Sequence, residues 1–160
     1  MAKSSLSICS CTFSCGLVGG ILLDIKNGTV SDSTVFLTKT FSILSPLIVS
    51  NDATTVRLSA TLFANASVIL ENLTCIGGYT AIAIEGSSLV HSSVSMISSG
   101  LRLSSIPILL NTVELIESTL LVTNTQLVAR LQTITMHVVS LRQFSLVNVT
   151  LRETTHSLVL

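Results

Sequence analysis

The stretch Ile25–Val30 (IKNGTV) places an aliphatic residue, a short polar step built on Asn, and a Thr/Val strand one after another. Variants of this phrase return roughly every twenty residues, and a short fixed period is typical of solenoids. The polar anchors of these variants are Ser10, Asn27, Asn51, Asn72, Ser93, Asn111, Gln132 and Asn148. In a solenoid each repeat is one coil that buries its apolar face only against its neighbours. The recurrence therefore predicts a stack of short β-coils.

The composition also favours strands over helices. Hydrophobic residues make up 48% of the 160 residues and charged residues only 10%, against about 25% charged in a typical globular domain. Ser and Thr supply more than a quarter of the chain, and β-branched or hydroxylated side chains suit a pleated, half-buried surface. Helix formers such as Glu, Lys, Gln and Ala are scarce, so the sequence predicts an all-β protein.

Two all-β architectures can be built from many short strands: a parallel β-helix and an antiparallel β-sandwich. A sandwich depends on hairpins, but Asn27-Gly28 is the only Asn-Gly or Asp-Gly pair in the chain. The sequence therefore favours a single β-solenoid domain over residues 1–160, with about seven or eight coils of roughly 20 residues. The antiparallel sandwich remains the alternative.

Two N-terminal segments, Ser7–Cys15 (SICSCTFSC) and Gly19–Leu22 (GGIL), resemble the repeats of polymorphic outer-membrane proteins. Similar rungs occur in large protist surface proteins with pectin-lyase-like, right-handed parallel β-helices, and Asn72–Ile82 repeats the pattern once. The resemblance implies a right-handed winding and an adhesin-like or stalk segment of a longer repeat protein. It also implies a location at the cell surface or outside the cell, and it carries over no catalytic residues.

Enzymes on this fold place carboxylates on one outward face, since glycoside hydrolysis needs a carboxylate pair. Asp32 and Asp52 lie one expected period apart, and Glu71 follows loosely, but none stands in a recognisable catalytic motif. We therefore expect a non-enzymatic structural protein with no catalytic residue, cofactor or metal. A carbohydrate-binding or polysaccharide-degrading β-helix is the alternative.

The four cysteines, Cys9, Cys11, Cys15 and Cys75, lack the C-x-x-C pairs of a zinc or redox site. Buried cysteines behave as small hydrophobic residues, and this is the favoured interpretation. The alternatives are a disulfide between Cys15 and Cys75 or a bridge to a neighbouring coil outside this sequence.

Four N-x-[ST] sequons, at Asn27, Asn65, Asn72 and Asn148, are candidate glycosylation sites. Asn27, Asn72 and Asn148 share the phase of the repeated phrase, so an inward ladder of stacked amides competes with glycosylation there. Asn65 lies off that phase and is the best glycan candidate.

Charge and hydropathy limit the partners. Eight basic residues balance eight acidic ones, so there is no basic surface of the kind that nucleic-acid binding requires. No run of about 20 apolar residues predicts a membrane-spanning helix, and residues 1–20 fit a first coil better than a signal peptide. We expect self-association through open solenoid ends and a glycan or host-surface ligand.

Overall fold

The fold was examined in a computed structural model, which describes residues 4–9, 12–15, 21–44, 54–103, 106–129 and 134–156. This part of the chain is built of β-strands joined by short turns. The strands are β1 (Ser4–Cys9), β2 (Thr12–Cys15), β3 (Ile21–Lys26), β4 (Thr29–Ser31), β5 (Ser33–Thr38), β6 (Phe41–Leu44), β7 (Thr54–Ser59), β8 (Leu62–Ala64), β9 (Ser67–Glu71), β10 (Thr74–Ile76), β11 (Thr80–Glu85), β12 (Ser88–Val90), β13 (Ser93–Ile97), β14 (Gly100–Leu103), β15 (Ile108–Ile116), β16 (Thr119–Ala129), β17 (Ile134–Arg142) and β18 (Leu146–His156).

The strands form two parallel sheets that the chain enters alternately. Sheet A has the order β1-β5-β9-β13-β16-β14-β10-β6-β2, with β18 on β16. Sheet B has the order β3-β7-β11-β15-β12-β8-β4, with β17 on β15. Each strand lies beside the strand one coil further along the chain, as in β3, β7 and β11. The fold is therefore a parallel β-solenoid, which confirms the all-β prediction and rules out the antiparallel sandwich.

The length of a coil differs from the predicted one. Ile82 pairs with Ile108, and Ile108 with Ile134, so the later coils repeat every 26 residues. An earlier coil is longer: Val35 pairs with Val68, 33 residues on. Its link between β6 and β7 spans residues 45–53, whereas the link between β10 and β11 spans only 77–79.

The expectation of seven or eight coils of roughly 20 residues was therefore wrong. The chain passes through sheet B at β3, β7, β11, β15 and β17, so about four turns separate the first passage from the last. The reason is that each coil contains several polar corners, and the repeated phrase occurs at different corners. Asn27 follows β3 in sheet B, whereas Asn72 follows β9 in sheet A.

The core fills the space between the two sheets. Burial alternates in β9, where Val68 and Leu70 are buried in sheet A, and in β7 from Val56 onward, where Val56 and Leu58 are buried in sheet B. Each inward side chain lies in a column of similar residues from successive coils, such as Leu58, Ile84 and Leu110. Burying one such aliphatic side chain stabilises the fold by about 1.5–3 kcal/mol, so the columns are the main source of stability.

Candidate functional site: the corners of the coils

The coils turn at residues with positive φ that recur in three columns. The first corner is formed by Asn27, Ala60, Gly86 and Thr112; the second by Asp32, Asn65, His91, Glu117 and Gln143; the third by Lys39, Asn72, Ser98 and Asn124. Only one of these residues is glycine, although a left-handed conformation costs a non-glycine residue about 1–2 kcal/mol. Neighbouring coils offset this cost through hydrogen bonds. The Ala60 N–H donates to the Glu85 carbonyl at 2.9 Å, and the Gly86 N–H to the Asn111 carbonyl at 2.9 Å.

A buried hydroxyl follows the positive-φ residue at most of these corners. At the second corner, Ser92 Oγ accepts the Ala66 N–H at 3.0 Å and donates to the Val90 carbonyl at 2.8 Å. One coil later, Ser118 Oγ accepts the Ser92 N–H at 2.9 Å and donates to the Ile116 carbonyl at 2.8 Å. Each hydroxyl therefore closes its own turn and holds the preceding coil. We call this arrangement the hydroxyl ladder.

The other two corners repeat this geometry. At the first corner, Ser87 Oγ accepts the Thr61 N–H at 3.3 Å. At the third corner, Ser99 Oγ accepts the Leu73 N–H at 3.2 Å. The ladder side chains that are buried are Thr61, Ser87, Ser92, Ser99 and Ser118. Thr125, also buried, donates to the Thr123 carbonyl of its own turn. Since a buried polar group without a partner costs about 1–3 kcal/mol, these paired hydroxyls fix the register between coils.

The predicted amide ladder is wrong. Asn27 lies at the first corner, Asn72 at the third, and Asn148 on β18 beside Leu121, so the three asparagines share no column. Their side chains and that of Asn65 are exposed. The inward polar column is built instead by the hydroxyl that follows the positive-φ residue. The signal that could have revealed it is the 26-residue spacing of Thr61 and Ser87, Ser92 and Ser118, and Ser99 and Thr125. Glycosylation of the four exposed asparagines stays a prediction.

The candidate disulfide between Cys15 and Cys75 does not fit the fold. Cys15 lies on β2 beside Leu44, and Cys75 lies on β10 beside Ser42, with β6 between the two strands. Two strand spacings amount to about 9–10 Å, beyond the roughly 4.4–6.8 Å that separates disulfide-bonded Cα atoms.

Cys75 is a free, buried thiol, as the favoured interpretation predicted. Burial raises its pKa to about 11, although a hydrogen bond with Thr55 acts in the opposite direction. Of the other cysteines, Cys9 lies on β1, and Cys11 falls outside the described residues.

Three carboxylates on the outer surface contact basic side chains. Asp24 Oδ2 lies 3.3 Å from Lys26 Nζ, and Glu114 Oε1 lies 3.1 Å from Arg142 Nε. At the second corner, Glu117 Oε2 lies 2.8 Å from His91 Nδ1.

The predicted proximity of Asp32 and Asp52 rested on the 20-residue period. Asp32 instead lies at the second corner, one coil from Asn65, and Asp52 is outside the described residues. Glu71 lies on β9 beside Thr38. Within the described ranges, no group of three or more His, Cys, Asp or Glu side chains could hold a metal ion.

A shallow notch opens at the third corner. Its wall is formed by Asn72, Ser98, Ser99, Gly100, Asn124 and Gln126, and its volume is about 350 Å³. Gly100 pairs with Thr74 on one side and Gln126 on the other, so the outward column lacks its middle side chain there. A Cβ at Gly100 would have no heavy atom within 4 Å. Asn124 Nδ2 donates to Ser98 Oγ at 3.1 Å, which orients one amide at the rim.

Comparison with known proteins gives no family for this chain. No family model matches, and no curated protein matches. Among solved structures, two trypsin-treated variants of QnrB1, a plasmid-mediated fluoroquinolone resistance protein, were aligned at 10% identity. The first alignment covers 87% of this chain and 91% of that chain with a TM-score of 0.15; the second covers 86% and 91% with a TM-score of 0.11. Such low scores carry no argument about this protein.

Of the resemblance to pectin-lyase-like surface repeats, the structure supports the parallel β-solenoid. Over the residues that the structure describes, no helix is long and apolar enough to cross a membrane.

Proposed function

We propose that this chain is a non-enzymatic structural solenoid that acts as a stalk or adhesin-like segment at the cell surface or outside the cell. The observation that carries the proposal is the hydroxyl ladder. Ser92 and Ser118 each bond both their own coil and the preceding one. Such cross-links give a rod whose coils resist sliding, and rigidity along one axis is what a stalk needs.

The outer surface supports the same role. Its side chains stand in columns with a spacing of about 4.8 Å between coils, and the exposed corner residues vary from coil to coil, as in Asn65, His91 and Glu117. The described ion pairs join carboxylates to basic groups. This arrangement suits a solvated surface better than the carboxylate pair of a glycosidase.

The stalk proposal can be tested by surface display. The chain is inserted between a bacterial surface anchor and a terminal epitope tag, and the cells are treated with increasing amounts of proteinase K. A rigid stalk keeps the tag on the cell, since the hydrogen-bonded strands within residues 54–103 and 106–129 offer a protease few unpaired segments. A variant with Ser92→Ala and Ser118→Ala should lose the tag at a lower protease concentration.

The control is Ser95→Ala, which alters a half-buried position on the outer face of β13 and leaves the hydroxyl ladder intact. Cleavage within residues 54–129 at the lowest protease concentration would contradict a stalk role. So would hydrolysis of polygalacturonate by the purified chain, with or without Ca²⁺.

A second candidate function, carbohydrate binding, is favoured by the notch at Gly100. Amide groups donate and accept hydrogen bonds at once, so Asn72 and Asn124 suit neighbouring sugar hydroxyls. A glycan array followed by NMR titration tests this. Gly100→Val should abolish binding by filling the notch, and Gly28→Val, at an exposed glycine outside it, should leave binding unchanged. If no glycan binds, or both variants bind equally, the notch has no such role.

A further inference from the structure

The outer face of strand β14 joins the notch at Gly100 to a positive charge. Leu101 is 1% exposed, so Gly100 and Arg102, its two neighbours on the strand, both face outward. Successive outward positions of a strand lie about 6.6 Å apart. The Arg102 side chain is exposed and carries its charge at the end of a long stem. A ligand held in the notch is therefore within reach of the Arg102 guanidinium group.

The charge of Arg102 is not used elsewhere in the described part of the chain. Among the described side chains, Arg102 takes part in none of the ion pairs. Glu71 lies on β9, beyond the third corner, and Lys39 is its neighbour in the preceding coil. Glu153 lies on β18, two strand spacings from β14, which amounts to about 9–10 Å. Within these residues, the positive charge is thus available to a ligand.

The wall of the notch suits a ligand with hydroxyl groups. The amides of Asn72 and Asn124 both donate and accept hydrogen bonds, as sugar hydroxyls do, whereas a small inorganic anion only accepts them. The Asn124 amide is held in place by its hydrogen bond to Ser98 Oγ at 3.1 Å. The volume of about 350 Å³ is near the lower end of the range for ligand sites, about 300–1,000 Å³. The notch therefore has room for one sugar residue.

Aliphatic side chains flank the guanidinium group. Ile76 and Val128 are the direct neighbours of Arg102 in the adjacent strands β10 and β16. Ile76 is 41% exposed and Val128 is half-buried, so they support the stem of Arg102 and offer apolar contact to the C–H groups of a sugar ring. The planar fork of an arginine binds two oxygens of one anionic group at once. Charge, hydroxyl recognition and apolar contact thus occur side by side.

We propose that the notch at Gly100 binds a sugar residue that carries a negatively charged group, and that Arg102 recognises the charge. The group is a carboxylate or a sulfate ester, since each presents a pair of oxygens to the guanidinium fork. Asn72 and Asn124 bind the hydroxyl groups of the same residue. The inference rests on the carbohydrate-binding function proposed for the notch and adds the class of ligand to it.

The test is a glycan array probed with the 160-residue chain, on which the same oligosaccharides are present in neutral, carboxylated and sulfated forms. We expect at least one charged form to bind about tenfold more tightly than its neutral parent, because charge-assisted hydrogen bonds are stronger than neutral ones. This preference should decrease as the NaCl concentration rises, since salt screens exposed charges. Whether the carboxylated or the sulfated form binds identifies the source of the charge, and either result supports the proposal.

Two variants separate the charge from the notch. Arg102→Gln keeps a hydrogen-bonding side chain without the charge, so it should bind charged and neutral forms equally well. The matched control is Arg142→Gln, which removes an exposed arginine that pairs with Glu114 at 3.1 Å, outside the notch. This variant should keep the full preference for charged forms. Circular dichroism identical to that of the unmodified chain will show that both variants are folded.

The results that overturn the proposal differ from those that remove carbohydrate binding altogether. If neutral and charged forms bind equally and Gly100→Val abolishes binding of both, the notch binds sugars but Arg102 recognises no charge. The proposal also fails if Arg102→Gln keeps the preference, or if inorganic sulfate shifts the NMR signals of residues 98–102 as strongly as a sulfated glycan at the same concentration. If no glycan binds, the carbohydrate-binding function and this inference fail together.

Discussion

The middle coils and the last coil place the same columns of side chains in different surroundings. Leu110, in the middle, is 1% exposed, whereas Met136, directly beside it in the last coil, is 55% exposed. Ser118 is likewise buried. Ser145, at the same corner one coil later, donates a hydrogen bond to the Arg142 carbonyl in an exposed setting. An inward side chain is thus fully buried only when a coil lies on both sides of it. Stability therefore depends on position along the solenoid more than on residue type.

The largest expected difference concerns the core columns. Leu110→Ala removes a side chain held between β11 and β17, and such truncations cost about 2–5 kcal/mol. Met136→Ala should cost less than about 1 kcal/mol, because more than half of Met136 is already in water. Urea unfolding at submicromolar protein concentration, where association contributes little, measures both. If both variants lost the same free energy of unfolding, the side chains of the last coil would be as well packed as those of the middle coils.

The second prediction is that the stability of the fold depends on pH through Cys75, which lies in the middle coils. Burial raises the pKa of the Cys75 thiol to about 11, from an ordinary value of 9.0. Between these values the folded chain holds a proton that the unfolded chain has lost, so stability is complete below pH 9 and falls as the pH rises towards 11. The expected loss is about 1–3 kcal/mol.

Thermal unfolding between pH 8 and 11 measures this loss. Cys75→Val, which keeps the apolar volume without a titrating group, should show a smaller decrease over the same range. Parallel pH profiles for the two proteins would contradict the assignment to Cys75.

The third prediction concerns the hydroxyl ladder. Ser118→Ala leaves the buried Ser92 N–H without its acceptor, which should cost about 1–3 kcal/mol. Ser145→Ala in the last coil should cost less than about 1 kcal/mol. Ser145 Oγ accepts the Ser118 N–H over a longer distance of 3.3 Å at a part-buried position, and water can replace its exposed hydrogen bond to the Arg142 carbonyl. Both values come from urea unfolding, and a cost for Ser145→Ala as large as that for Ser118→Ala would mean that the ladder does not depend on burial.

The sequence was sufficient to predict the class of fold, because β-branched residues, hydroxyl side chains and a recurring aliphatic phrase all favour stacked parallel strands. The sequence was not sufficient to predict how many residues form one coil. The polar step looks alike at the first and third corners, as at Asn27 and Asn72, so counting polar steps gave more coils than exist.

The polar ladder was predicted in kind but assigned to the wrong residues. Asn72 faces solvent and the next position, Leu73, faces inward, and a shift of one residue exchanges the two faces of a strand. Sequence alone does not show which residue at a corner takes the positive φ. The candidate disulfide failed for a related reason, because the β6 strand between Cys15 and Cys75 became visible only in the register of the sheet.

The smallest expected effect is at the corners themselves. Ala60 has a φ of 47°, and the residue at the same corner one coil later is Gly86. Ala60→Gly should raise stability by up to about 1 kcal/mol, because glycine adopts this conformation without a Cβ clash. Ala64→Gly is the matched control: it lies in the strand β8, where glycine should lower stability by about 0.5–1 kcal/mol. Both variants can be compared by thermal unfolding. If the two substitutions destabilise the chain equally, the first corner carries no left-handed strain at Ala60, and hydrogen bonding between coils alone sets its conformation.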